Sequence, residues 1–496
     1  MIVAGHGNLV GAGRVDHFYQ IAEEFVIPDP PARQSPGQAT QGFPIMGRQI
    51  EELARFVAQT RCEDIPETVR RHAKLVLLDT LGVILAGGER PEIGQLRARL
   101  GATCGSGATV YARGWPPQDP RTAALLNGIA GRSIELCEGL RLVSGQAAMQ
   151  VLPAVLAVAE AARCPGHEML AAFVLGYDVV GRLAGGFTPR PLAHQNGQVS
   201  LLAAAAAGAR LRGLDAAGVS RAMRIATTLL LTPSYTNAVA GATTLNVAGG
   251  ISGYAGALAP ELALAGFEAQ PDAVEEALGQ LVGAGFTTDG MLDEIGTRWE
   301  ITRNYFRLYA CCNPIHPALD CLAAALAELR PRPEQVERIE VATYRFASVM
   351  RNPDPPNYFA SKYSLPHAAA AMVVRGGAGF AELDDSALAD PAIAGLRHRV
   401  HISEDPAMTA LTPLLRPARV TVTLSDGRRA MHQADSHRGD FQQPFAEPEI
   451  REKFRELAAT VLTPEGVAAA ERAVDHCEEW ASAGELPDLL RRSGRT

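Results

Sequence analysis

Lysine is nearly absent from this chain of 496 residues. Only Lys74, Lys362 and Lys453 occur, so arginine supplies almost all of the 46 positive charges. Aspartate and glutamate together number 54, which leaves a formal net charge of −8. Nucleic acids and anionic membrane surfaces select basic proteins, and this balance argues against both as partners. Any fixed positive charge in a binding pocket is therefore expected to be an arginine, which holds carboxylates through two parallel N–H bonds.

Long apolar runs and targeting signals are also missing. No stretch reaches the ~18 uninterrupted apolar residues of a membrane-spanning helix, so no span is predicted. The opening residues, MIVAGHGNLVGAGRVDHF, lack a basic start followed by a long apolar run, so no signal peptide is predicted. The eight cysteines are scattered, and the paired C-x2-C spacing of a structural zinc site does not occur. Free thiols in a reducing cytoplasm fit this pattern, and we expect no metal.

The length predicts two or more domains, because single cores stop growing at about 250–300 residues. Residues 1–46 are expected to form an N-terminal arm, since 28–45 are rich in proline, glycine and glutamine. Residues 47–301 are expected to form a large all-α domain to which 441–496 return, because helical spacing and small residues dominate there. Residues 302–440 are expected to form a smaller α/β domain, the lid domain.

Apolar spacing, capping residues and glycine stops predict helices in the first domain at 47–61, 66–88, 120–135, 148–163, 167–185, 198–213, 216–231, 245–265 and 271–281. In the lid domain VERIEVATY alternates as a strand does, and VTVTLSDGRR predicts a strand that enters a turn at Asp426-Gly427. Helices are predicted there at 317–328 and 364–376. The tail over 447–481 is expected to be helical.

His194 stands just before the helical run at 198–213, with Asn196 and Ser200 as candidate caps. A helix N-terminus presents free N–H groups to a carboxylate, and a histidine beside it could act as a general acid or base. A capping or packing histidine is the commoner explanation for such a residue when it is judged alone.

The stretch LYACCNPIHPALD contains Cys311, Cys312 and His316. Adjacent cysteines direct their side chains apart, so they rarely complete a tetrahedral metal site, and a cysteine nucleophile has no specific support here. Packing as small apolar residues is the favoured interpretation of the pair. His316, which begins a helix before a proline, is the better chemical candidate.

Two glutamates, Glu135 and Glu138, lie three residues apart in SIELCEGLRLVSGQ. One helical turn would bring them to the same face, where two like charges could raise one pKa and create a general acid. A solvated acidic helix end is the commoner explanation.

Taken together, these stretches resemble the MmgE/PrpD family from about residue 47 to 481. The resemblance is carried by ELARFVAQT, IPETVRRHAKLVLLDTLGVILAGG, LLNGIA, VLPAVLAVAEA, GYDVVGRL, the His194 segment with LLAAAAAGARLRGLD, the Tyr309–Cys312 stretch with His316, KYSLPHAAAA and RGDFQQPFAEPEIREKF. It implies an all-α domain with a smaller α/β lid, an active site between them, and a homodimer without metal or organic cofactor. The implied chemistry is dehydration, decarboxylation or epimerisation next to a carboxylate.

The resemblance places His194 and His316 on two histidines of the family. The family's acidic run, D-x-D-D, is Glu135-Leu136-Cys137-Glu138 in this chain. Four further positions also depart from the family pattern: Gln146 for histidine, Thr244 and Arg307 for lysines, and His367 for tyrosine. Gln146 and Thr244 cannot carry a proton as histidine or lysine does, whereas Arg307 keeps its charge.

The leading hypothesis is therefore a lyase or isomerase that acts on a carboxylate-bearing small molecule of a specialised biosynthetic pathway, with fewer carboxylates than the family's common substrates. His194 is expected to be a base or acid, His316 a second acid, base or carboxylate ligand, and Glu138 a proton partner. Arg307 is expected to clamp a carboxylate. The pocket is expected to be shaped by Gln146, Thr244, Asn196, His367 and Cys137. The alternative is a catalytically silent homologue that binds a ligand or a partner chain.

Overall fold

A computed structural model describes residues 48–100, 107–111, 113, 116–141 and 145–494. The predicted N-terminal arm lies outside these residues. The first domain contains the helices α1 (Arg48–Gln59), α2 (Glu67–Gly88), α3 (Pro91–Leu100), α4 (Pro120–Arg132), α5 (Ala147–Ala162), α6 (Gly166–Gly186), α7 (Val199–Leu211), α8 (Ala216–Ala226), α9 (Thr236–Ala240), α10 (Thr244–Leu264) and α11 (Ala273–Glu276). One short antiparallel pair joins β1 (Phe187–Pro189) to β2 (Gly283–Phe286).

The lid domain contains α12 (His316–Leu329), β3 (Val336–Thr343), α13 (Arg345–Ser348), α14 (Tyr358–Ser361), α15 (Leu365–Arg375), α16 (Asp385–Ala389), α17 (Pro391–Arg397), β4 (Val400–Glu404), α18 (Pro406–Thr409), β5 (Ala418–Leu424) and β6 (Arg429–Ala434). Its sheet has the order β4-β3-β5-β6, with β3 and β4 parallel and the other pairs antiparallel. Three helices complete the chain: α19 (Glu447–Ala458), α20 (Pro464–Asp475) and α21 (Glu485–Ser493). The mostly helical fold with a smaller α/β part is confirmed.

The predicted strands at 336–343 and 420–424 are confirmed, as is the turn between β5 and β6. Gly427 has φ +87° in that turn, a conformation that only glycine adopts without strain. The predicted helical tail consists of separate helices, because Thr463 caps a new helix with its side chain and Pro464 occupies the first position. At 271–281 only α11 is α-helical, and a π-turn follows it over 277–281.

Two large apolar clusters form most of the interior of the described residues. The first gathers the helices of the large domain and includes Phe454 and other side chains of α19–α21. The second gathers the apolar faces of the lid domain and continues into the large domain through Val83, Met149 and Leu245. The two domains therefore share a water-excluding contact and not only a chain connection.

One helix among the described residues, α6, is long and apolar enough to cross a membrane, but 83% of its apolar window is buried inside the fold. This is the environment of a core helix, and the side chains that cover it belong to α5 and α7 among others.

Close packing of α2 against α4 depends on Gly87. A Cβ atom at this position would collide with the main-chain carbonyl oxygen of Ala130, which cannot rotate away. Gly87→Ala is expected to lower the free energy of unfolding by roughly 1–3 kcal/mol, because the helices must separate. Gly94→Ala on α3 is the matched control, since a Cβ there meets nothing within 4 Å. Urea titrations of both variants would contradict this packing argument if the two midpoints moved alike.

Candidate active site

The acidic segment between α4 and α5 leaves the helix before its two glutamates. Helix α4 ends at Arg132, and Glu135 has φ +51°, a left-handed backbone that is uncommon for a residue other than glycine. The predicted helical turn with two facing carboxylates is therefore wrong. The side chains of Glu135 and Glu138 instead reach separate sets of partners.

The carboxylate of Glu135 is held by three buried donors. Arg132 donates to Oε2, Tyr363 donates to Oε2 over 2.9 Å, and Arg307 donates to Oε1 over 2.6 Å. These donors come from α4, from the lid domain and from the segment that joins the two domains. Arg307, the predicted carboxylate clamp, thus binds a carboxylate of the protein itself.

Two cations also fix the main chain of the acidic segment. Arg307 donates to the carbonyl oxygen of Glu135 over 3.1 Å, and Lys453 donates to the carbonyl oxygen of Leu136 over 2.8 Å. Lys453 lies on α19 and forms a buried ion pair with Asp79 of α2 over 2.6 Å. Consecutive carbonyls are therefore tied to distant parts of the chain, which offsets the cost of the left-handed residue.

Glu138 is completely buried and accepts three hydrogen bonds. The donors are the Ala148 amide over 2.8 Å, the Tyr177 hydroxyl over 2.7 Å and the Asn304 amide over 3.4 Å. Burial raises the pKa of Glu138 to about 7, although these donors act in the opposite direction. A carboxyl group that is half protonated near neutral pH can both accept and donate a proton. The cause is desolvation and not the repulsion by Glu135 that the spacing had suggested.

His194 lies in the loop before α7, stacked on Tyr235 with ring centroids 5.1 Å apart. Its Nδ1 accepts a hydrogen bond from the main-chain amide of Asn196 over 3.2 Å, so the neutral ring carries its proton on Nε2. Burial and the charges of Arg132 and Arg307 lower the pKa of His194 to about 3. The imidazole is therefore neutral at physiological pH and offers an N–H to a ligand.

His316 has the same Nε2–H tautomer as His194, but it is the N–H that is used inside the protein and the lone pair that is left free. Its Nε2 lies 3.1 Å from the carbonyl oxygen of Cys311, an acceptor, so the ring donates from Nε2 and keeps a lone pair on Nδ1. Burial, His437 and Arg307 hold the pKa of His316 well below its usual value. The charge of Arg307 thus acts on both predicted histidines, so both rings lie near the same guanidinium group.

His437 faces His316 edge to face, with ring centroids 5.4 Å apart. Nδ1 of His437 lies 2.7 Å from the carbonyl oxygen of Arg438, and Nε2 lies 2.8 Å from the amide nitrogen of Asn313. The first atom donates and the second accepts, which locks the ring. Burial lowers the pKa of His437 to about 4.

The predicted pocket residues Gln146 and Asn196 meet around Gln150. The Gln150 amide nitrogen donates to the carbonyl oxygen of Gln146 over 3.0 Å and to Oδ1 of Asn196 over 3.3 Å. Neither Asn196 nor Ser200 caps α7, which begins after Gln198 without any side-chain cap, so that expectation was wrong. Asn196 is used to build a buried amide cluster beside His194.

Three other predicted pocket residues have different environments. Cys137 is fully buried next to the charges of Arg132 and Arg307. Thr244 is the exposed first residue of α10 and makes no contact with the buried arginines among the hydrogen bonds of the described residues. His367 is fully buried on α15, where burial and the charges of lid residues lower its pKa to about 3. The roles of these three in substrate binding stay predictions.

The cysteine pair packs in the apolar cluster of the lid domain, as the sequence favoured. Burial raises the pKa of both thiols, so neither Cys311 nor Cys312 is a ready thiolate. The Cys312 sulfur lies 3.8 Å from the hydroxyl oxygen of Tyr235.

Several residues of this cluster were not predicted from the sequence, namely Arg132, Tyr177, Asn304, Tyr363, His437 and Lys453. Four of them had an available signal in the stretches that carried the resemblance. Tyr177 lies inside GYDVVGRL, Tyr363 inside KYSLPH and Lys453 inside RGDFQQPFAEPEIREKF, and His437 directly precedes the last of these. Arg132 and Asn304 had none, because a single buried arginine or asparagine leaves no pattern in a sequence.

The geometry defines a two-domain protein whose carboxylate-binding arginines, neutral histidines and raised-pKa glutamate meet where the domains join. Sequence profiles agree: the MmgE/PrpD N-terminal domain matches residues 51–288, and the MmgE/PrpD C-terminal domain matches residues 309–479. The chain belongs to the MmgE/PrpD family.

Curated relatives cover almost the whole chain at low identity. A cis-aconitate decarboxylase-like protein, oryM, of Aspergillus oryzae is 26% identical over 483 residues, which are 90% of this chain and 97% of that protein. Cis-aconitate decarboxylase of Homo sapiens is 24% identical over 465 residues, 89% of this chain and 94% of that protein. The Mus musculus enzyme is 23% identical over 464 residues, 89% and 93% of the two chains. The family relatives are thus named for a lyase-type activity on a carboxylate.

Proposed function

We propose that the protein is a lyase or isomerase that removes a proton next to a carboxylate of a small molecule and eliminates or rearranges a neighbouring group. The observation that carries this proposal is that two neutral histidines near Arg307 leave different atoms free, the Nε2–H of His194 and the Nδ1 lone pair of His316. The family membership and the activity named for the relatives support it. We further propose that it works in the cytoplasm, without a cofactor, as a homodimer, on the resemblance to the family.

Each group has a role that follows from its protonation. Nδ1 of His316 carries a lone pair and can accept the C–H proton, while the Nε2–H of His194 can donate to a leaving group or a developing oxyanion. Arg307 and Arg132 would hold the carboxylate, whose negative charge also stabilises a protonated His316. Glu138, with a pKa of about 7, can return or store the proton.

The test is proton exchange in deuterated water, followed by NMR with a panel of hydroxy acids and unsaturated acids. Wild-type protein is expected to wash deuterium into at least one acid, and His194→Ala and His316→Ala to slow this exchange by about 10²-fold or more. His167→Ala is the matched control, because the His167 side chain is half exposed at the start of α6 and lies beside Glu168. Wild-type rates in both active-site variants would contradict the proposal.

A ligand-binding homologue without catalysis is the second candidate, and one observation favours it. Glu135 already neutralises one of the two arginines, so the cluster is stable without a substrate. This candidate predicts that acids bind to the wild-type protein in the NMR experiment but that none of them exchanges a proton.

A further inference from the structure

The charges of the buried cluster do not cancel. Arg132 and Arg307 contribute two positive charges, and Glu135 contributes one negative charge. His194 and His316 are neutral, and Asp79 is matched by Lys453. These residues together therefore have an excess of about one positive charge when Glu138 is protonated, which can balance one substrate carboxylate.

Hydrogen-bond donors remain for that carboxylate. The Nε atoms of Arg132 and Arg307 are buried and have no acceptor among the described residues. Buried guanidinium donors without an acceptor cost free energy, which a carboxylate of a ligand would recover.

Beside His194 lies a second group of buried polar atoms, all of them amides. Oε1 of Gln146, Nδ2 of Asn196, Oδ1 of Asn246 and both side-chain polar atoms of Gln198 are buried and lack partners among the described residues. Gln150 contacts several segments of the chain in this group. Besides its bonds to Gln146 and Asn196, its side-chain oxygen accepts from the Gly197 amide over 2.9 Å and from the Ser252 hydroxyl over 2.9 Å. Ser252 and Asn246 both lie on α10, a helix that follows Tyr235 in the chain.

Four buried amide side chains with unsatisfied donors and acceptors are expensive unless a ligand completes them. They offer both N–H and C=O groups and no net charge, so they match a neutral group that both donates and accepts, such as a carboxamide or a hydroxyl group. A second carboxylate there would face amide oxygens without any cation to balance it.

We propose that the substrate is a monocarboxylate with a neutral hydrogen-bonding group at its other end. Arg132 and Arg307 hold the carboxylate. The neutral group binds to the amide cluster, which consists of Gln146, Asn196, Gln198 and Asn246. The inference rests on the proposed function for the position of the site, and it adds the substrate class. It distinguishes this chain from a site built for a di- or tricarboxylate, because a carboxylate and a carboxamide have nearly the same shape and differ in charge.

The experiment compares each dicarboxylate with its own half-amide, for which maleate and maleamate are one probe pair and 2-hydroxyglutarate and its 5-amide are another. Dissociation constants are measured by calorimetry at pH 6, where Glu138 is mostly protonated. A half-amide is expected to bind at least ten times more tightly than its diacid. Equal or tighter binding of both diacids, or no binding of either half-amide at millimolar concentration, would overturn the inference.

Two variants locate the effect. Glu135→Gln removes one negative charge without changing the shape of the side chain. It is expected to shift the ratio of the two dissociation constants toward the diacid by at least tenfold. Glu294→Gln is the control, because Glu294 is exposed and its substitution is expected to leave this ratio unchanged. Asn246→Leu is expected to weaken the half-amide at least tenfold and the diacid much less. Melting curves check that each variant is folded, and an unchanged preference in both folded variants would contradict the assignment.

Binding and turnover fail separately in this design. If the half-amides bind preferentially but no proton exchanges, the substrate class stands as a ligand class and the proposed enzyme function fails. If diacids exchange protons and half-amides do not bind, the enzyme function stands and the inference fails.

Discussion

Lys453→Met is expected to lower the free energy of unfolding by about 3–5 kcal/mol, a large effect for one buried lysine in a chain of 496 residues. The substitution leaves the carboxylate of Asp79 fully buried without its ion-pair partner, and it removes the donor to the Leu136 carbonyl. Burial already raises the pKa of Asp79 with Lys453 present, so without it Asp79 must bind a proton or unfold.

Chemical unfolding of a double-variant series would measure this effect. Asp79→Asn combined with Lys453→Met is expected to recover more than half of the lost stability, because no charge then remains buried. Lys74→Met is the matched control, since Lys74 pairs with Glu478 at the solvent edge and is expected to cost about 1 kcal/mol or less. A loss at Lys453 no larger than the loss at Lys74 would show that the buried pair does not stabilise the fold.

The second large effect is acid instability below pH 6.5. Burial lowers the pKa of His194 and His367 to about 3 and that of His437 to about 4, and it holds the pKa of His316 well below its usual value. An unfolded histidine titrates near 6.5. Between these values the unfolded state binds more protons than the folded state, so the free energy of unfolding falls as the pH falls.

The size of the slope follows from the number of protons. Each histidine contributes roughly 1.4 kcal/mol per pH unit where its unfolded form is protonated and its folded form is not. Glu138 acts in the opposite direction between about 7 and its ordinary value, because its raised pKa means that the folded state holds the extra proton. The lowered pKa of the buried His72 adds to the effect of the four histidines. Raised pKa values of further buried carboxyl groups act with Glu138 and reduce the slope, namely those of Asp79, Asp178, Glu160, Asp320 and Glu456.

Urea denaturation at several pH values from 7 to 4.5 checks this prediction. His367→Leu cannot take up a proton on unfolding, so its slope is expected to be smaller than that of the wild type by roughly 1.4 kcal/mol per pH unit. His401→Asn on an exposed strand position serves as the matched control. A stability that stays constant from pH 7 to 5 would contradict the buried neutral state of these histidines.

Much of the fold followed from the sequence, because helical periodicity is a local signal. The helices at 147–162, 166–186 and 244–264 begin and end within one or two residues of the predicted bounds. Strand β4 was not predicted, since VHISE is short and half exposed and pairs in parallel with a strand that is distant in sequence. The end of α4 was wrong because Arg307 and Lys453 hold the next carbonyls outside the helix, a tertiary effect that no local pattern contains.

The candidate site was predictable only in part. His194, His316, Glu138 and Arg307 were singled out by their neighbours in the sequence, and the structure brings them to the junction of the two domains. Their partners could not be inferred, since Tyr363 and Arg132 are 231 residues apart in the chain and 2.9 Å apart in space. The internal carboxylate on Arg307 was also unforeseen, because charge balance depends on which side chains the fold gathers.

The shared apolar contact between the domains has a kinetic consequence. Swinging the lid domain away as a rigid body would expose Val83, Met149 and Leu245 together with the lid side chains that cover them, at a cost of roughly 1.5–3 kcal/mol for each large apolar side chain. Ligand entry is therefore expected to use local opening of the loops near His194 and Tyr235, which are only partly covered on their outer side. If the loops must open before the ligand can enter, association is slow and nearly independent of the ligand's own diffusion. Small substitutions in these loops would then change the entry rate and the release rate alike and leave the equilibrium affinity unaltered.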